Sequence, residues 1–134
     1  MGIRDVGRVR DLASQGDVEG LIAVLLDDER SAVERRVAAA ALGDLRDRRA
    51  LEPLVSVLED SKVCVTAIRA LALIGDPVAA APLAELFSWT DERAIRKEAE
   101  RALYKLNARD PRGVRTVLES YERAKKRHGG KRPR

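Results

Sequence analysis

Cysteine and histidine are almost absent from this chain: of 134 residues one is cysteine, Cys64, and one is histidine, His128. A lone cysteine excludes an internal disulfide framework and, with a single histidine beside it, the usual Cys/His metal-ligand sets. Histidine-centred catalysis has almost nothing to work with, because His128 sits in a terminal run of charge. No histidine stands near Cys64, and an unassisted thiol is mostly protonated, so Cys64 reads as a small packed residue. Aromatics make up 3% of the chain (Phe87, Trp89, Tyr104 and Tyr121), too few for an aromatic cage. Trp89, in a turn, reads either as a plug under that turn or as an interface anchor. Glycine-rich phosphate loops are missing, and no cofactor or metal is expected. No stretch approaches the roughly 18 apolar residues of a membrane span, and the N-terminus lacks a signal-peptide core. These absences imply a cytoplasmic location and no membrane partner.

What remains is a chain 45% hydrophobic and 36% charged, an ordinary balance for one globular domain. The net charge of +4 is unevenly placed. From Glu122 to Arg134 there are seven basic residues against one acid, which leaves 19 basic and 21 acidic residues in positions 1–121, a net of −2. A uniform basic face of the kind that tracks a phosphate backbone is therefore not indicated. Twenty of the 26 basic residues are arginine, a bias that fits a GC-rich, bacterial genome.

Three segments align on one another, about 17–46, 47–75 and 76–107. Each carries Ala-x-x-Ala-Leu in its second half: Ala38, Ala41, Leu42, then Ala67, Ala70, Leu71, then Ala99, Ala102, Leu103, at spacings of 29 and 32 residues. Each segment reads as two helices, because its apolar residues recur at the 3.6-residue period (Leu51, Leu54, Val55, Leu58; then Val63, Ala67, Ala70, Leu71, Ile74). Asp17, Asp47, Asp76 and Asp110 stand where helices begin, with proline directly after Asp76 and Asp110. Pro53 and Pro82 fall in or near first turns. The acidic turn residues Asp27, Asp28, Glu29, Asp44, Asp47, Asp91 and Glu92 are explained by capping. Segments 3–15 and 110–126 read as end caps, with Ile3, Val6, Val9 and Leu12 on one and Val114, Val117, Leu118 and Tyr121 on the other. Paired helices of this kind cannot bury their apolar faces alone and must stack. The expectation is one all-α domain over 1–121 with a flexible basic tail at 127–134.

The pattern Pro-Leu-x-x-Leu, an acidic turn, then Val-x-x-x-Ala-x-x-Ala-Leu and Gly-Asp resembles the HEAT-repeat family, and within it the short bilin-lyase-type repeats. Pro82, Leu83, Leu86, Asp91, Ile95, Arg96, Ala99, Ala102 and Leu103 carry the resemblance. Where such repeats have Val-Arg at the start of the second helix, this chain has Glu34-Arg35, Val63-Cys64 and Ile95-Arg96, so the arginine ladder is broken in the middle. The resemblance implies a right-handed α-solenoid of about three repeats plus caps, serving mostly as a binding scaffold. No His-Glu pair is present, which excludes the di-iron hydroxylase branch of these repeats.

In such a stack the second helices form the inner face. Its outward columns are Arg36, Val65, Lys97; Ala39, Ile68, Glu100; Ala40, Arg69, Arg101; and Gly43, Ala72, Tyr104. Two readings stand. A groove lined by Ala39, Val65, Ile68 and Ala72, with Arg36, Arg69, Arg101 and Tyr104 as rim anchors, would take a partner helix or peptide. Tight curvature would instead bury the small apolar members against neighbouring units. The leading expectation is a non-enzymatic adaptor for another protein, a monomer or homodimer. Alternatives are a nucleic-acid-associated protein using the basic tail (Arg123, Lys125, Lys126, Arg127, Lys131, Arg132) in weak, salt-sensitive contact, and an accessory subunit of a bilin-lyase-like enzyme.

Overall fold

The computed structural model describes residues 3–127, with side chains described from Val6 onward. Lys131 and Arg132, and with them most of the expected tail, lie outside the described residues. Everything regular within the described residues is helical. None of these helices is long and apolar enough to cross a membrane.

Helix starts are written by short polar side chains. After α1 (Ile3–Ser14), Asp17 opens α2 (Val18–Leu26) by accepting the Gly20 N–H at 2.9 Å. Ser31 and Glu34 form a reciprocal box at the start of α3 (Ala32–Leu45): Ser31 Oγ accepts the Glu34 N–H, and the Glu34 carboxylate accepts the Ser31 N–H. Asp47 and Asp76 each open a single 3₁₀ turn, Arg48–Ala50 and Pro77–Ala79, by accepting the N–H two residues on. Those turns run directly into α4 (Leu51–Ser56) and α6 (Ala80–Trp89). Pro53 and Pro82 accordingly stand third in their helices, in the first turn, where proline is tolerated. The second helices are α5 (Cys64–Ile74) and α7 (Arg93–Arg109). Asp110 caps α8 (Pro111–Arg127) through the Gly113 N–H.

Two capping expectations are corrected. Asp44 is an exposed residue inside α3 and not part of a turn. Glu92 precedes α7 but its carboxylate makes no capping bond, and its own N–H is accepted by the Thr90 hydroxyl in the turn before the helix.

The chain divides into two compact units, residues 1–74 and 75–134. In the first, α3 is the hub: α1, α2 and α5 all pack on it, and α4 packs on α5. Its core is Val9, Leu21, Leu25, Leu42, Leu54, Val63 and Leu71, with Ala38 and Ala67 fully buried beside them. In the second, α6, α7 and α8 pack pairwise around Leu83, Ile95, Ala99, Leu103, Leu106 and Val114. Ala38, Ala67 and Ala99 and Leu42, Leu71 and Leu103 thus occupy equivalent buried positions, as their period predicted, whereas Ala41 is half-buried where Ala70 and Ala102 are buried.

Candidate protein-binding cleft

The broken arginine ladder is visible as three different local solutions. Arg35, only 5% exposed, donates from Nε to the Leu25 carbonyl at 2.9 Å and from Nη1 to Asp60 Oδ2 at 2.8 Å. It ties the last turn of α2 and the turn before α5 to α3. The Arg35 guanidinium, helped by the Lys62 N–H, holds the Asp60 carboxyl below the usual carboxylate range. Arg96 donates to the Thr90 carbonyl at 2.8 Å, closing the turn before α7. At the middle position Val63 and Cys64 are buried, with no arginine. These groups are structural, and among the described residues no cluster of three or more His, Cys, Asp or Glu is placed to hold a metal.

The residues expected to bind a partner fall in both units. Six of the eight lie in the first unit. Ala39 and Ile68 are fully buried and offer no side chain to a partner. The reason for Ala39 is packing along α5: a Cβ built on Gly43, one turn further along the same face, would lie 2.7 Å from the Ala70 Cα. A helical period reveals the face but not which neighbour covers it. Val65 and Ala72 are half-buried, and Arg69 is exposed. Arg36 is exposed and donates to the Lys62 carbonyl at 3.1 Å.

In the second unit Arg101 is exposed, with a loose 3.7 Å pair to Glu98. Tyr104 is 78% exposed. Tyr104 opens onto a cleft of about 420 Å³ between α7 and α8 that reaches Phe87 of α6. Its apolar lining is Phe87, Leu103, Val114 and Leu118, and Asn107 and Arg115 add polar groups. Glu100, Glu119 and Glu122 complete it with three carboxylates. The basic residues Arg123, Lys126 and Arg127 are exposed along the last turns of α8, and Lys125 is half-buried. The sequence reading missed the α8 side of this cleft. Its only signal was the strong amphipathicity of 111–127, which shows that a helix has two faces but not where a concavity falls.

Capped helix pairs repeated at a near-constant period, each buried only through its neighbours, define a helical-repeat protein. A family model described as HEAT repeats matches residues 18–121, and the chain belongs to the HEAT-repeat family. That match is to HEAT repeats in general and does not place the chain nearer the bilin-lyase-type subset. No curated protein matches the sequence.

Proposed function

We propose that this chain is a non-enzymatic scaffold that binds a partner protein through the cleft between α7 and α8. One observation carries the reading: a large, solvent-facing tyrosine stands beside an apolar floor and three carboxylates that hold no ion pair among the described residues. Tyrosine is among the residue types enriched at the few positions that dominate a binding interface. HEAT repeats commonly serve as protein-interaction scaffolds, which agrees in kind.

The test is affinity capture from native extract with the wild type, Tyr104→Ala, and the control Arg36→Ala/Arg69→Ala. Tyr104 is too exposed for its truncation to disturb the core, so circular dichroism should be unchanged. A partner held by the wild type should be retained at least roughly tenfold less well by Tyr104→Ala, the scale of a hot-spot residue, and normally by the control. Retention by Tyr104→Ala with loss in the arginine control would move the binding face to the first unit and refute this assignment.

A further inference from the structure

The aligned register shows what kind of seat the cleft is. Ala39 and Gly43 of α3 are at the positions that Glu100 and Tyr104 occupy in α7. In α3 these positions receive the next second helix: α5 packs along them, close enough for Gly43 to meet the Ala70 backbone. In α7 the same two positions line the open cleft. We propose, resting on the scaffold reading above, that this seat is filled in trans by a single amphipathic α-helix of another protein, with basic residues flanking its apolar face.

Continuity with the α3–α5 interface argues for a helix. So does the floor: an extended peptide laid on Leu103 and Leu118 would leave backbone N–H and C=O groups without partners there, whereas a helix satisfies its own. The sign of the charge follows from the rim. Glu100, Glu119 and Glu122 face a single lining cation, Arg115, so the cleft is net negative. Where the chain stacks on itself the seat is small and neutral; here it carries the larger Tyr104 and is acidic, which favours a different occupant and selects for lysine or arginine. Exposed ion pairs add little affinity one at a time, so the apolar anchors hold the helix and the charges choose it.

The experiment uses two synthetic peptides of about 15 residues on one alanine–leucine helical frame, flanked by arginine in the first and glutamate in the second. Each is titrated into the full chain and into Glu119→Lys/Glu122→Lys, whose two sites are exposed. The arginine-flanked peptide should bind the wild type at least roughly tenfold tighter than its counterpart, and the preference should reverse in the double variant. It should also gain helical circular dichroism and shift the Leu103 and Leu118 methyl resonances. Equal binding of the two, binding of neither, a preference that survives charge reversal, or binding without helix gain would each overturn the proposal. So would self-association of the chain that the same reversal abolishes, since the occupant would then be a second copy. Failure of both peptides while Tyr104→Ala still loses its captured partner discards the helix and leaves the scaffold reading in place. Capture indifferent to Tyr104→Ala discards the scaffold site itself.

Discussion

Arg35 shows how a single residue can hold several elements together and what that costs. A guanidinium this buried is tolerated only because each of its faces is met: Leu25 carbonyl, Asp60 carboxylate, and the exposed Asp28 carboxylate at 3.8 Å. Asp60→Asn keeps the shape but removes the short charged contact, and should lower stability in urea denaturation by about 1–3 kcal/mol. The pH dependence has a definite sign. Asp60 is held below its unfolded value, so its contribution is present above about pH 4 and is lost as pH falls through the lowered folded value. The stability gap between the wild type and Asp60→Asn should therefore narrow on acidification over that window. A gap independent of pH would show that Arg35 is held by the carbonyl alone.

At the scale of elements, Gly43 separates helix propensity from helix packing. Alanine in place of glycine in a helix ordinarily stabilises by about 1 kcal/mol. Here the added methyl would lie 2.7 Å from the Ala70 Cα and 2.9 Å from its Cβ, atoms that cannot swing aside. Gly43→Ala should consequently destabilise by about 1–3 kcal/mol, read as a lower midpoint in thermal denaturation by circular dichroism. A raised midpoint would mean that α3 and α5 sit further apart. The same position marks the limit of what the sequence could tell. Helix starts were legible because each depends on a few adjacent residues: Asp17, Asp76-Pro77 and Asp110-Pro111 are local chemistry. The buried alanines were legible because they repeat. For Gly43 and Ala39 the sequence left two readings open, a groove or burial against a neighbouring unit, since nothing local distinguishes a face turned to water from one turned to the next helix. The cleft was hidden for the same reason: Leu103 and Leu118 become one floor only when α7 and α8 fold against each other. Tyr104 was legible as a candidate anchor because a tyrosine is out of character in a column that elsewhere holds glycine and alanine.

Stability across the molecule should follow the distribution of buried contacts, because each helix of a repeat array is held only by its neighbours. α3 is covered by three helices and buries six of its residues, whereas Val114 is the single buried residue of α8. Amide hydrogen exchange should thus be slowest in α3 and fastest, among the helices from α2 onward, in α8. The helix that supplies half of the proposed seat is then also one with a single buried residue. A ligand that binds only when α8 is docked must stabilise it by mass action: the arginine-flanked peptide at 100 times its Kd should add up to about 2.7 kcal/mol of protection to the α8 amides. Exchange in α8 unchanged by a peptide that demonstrably binds would mean that α8 opens without releasing it, and hence that the peptide rests on α7 alone. Glu119→Lys and Glu122→Lys would then have no reason to reverse its charge preference, so the two measurements constrain each other.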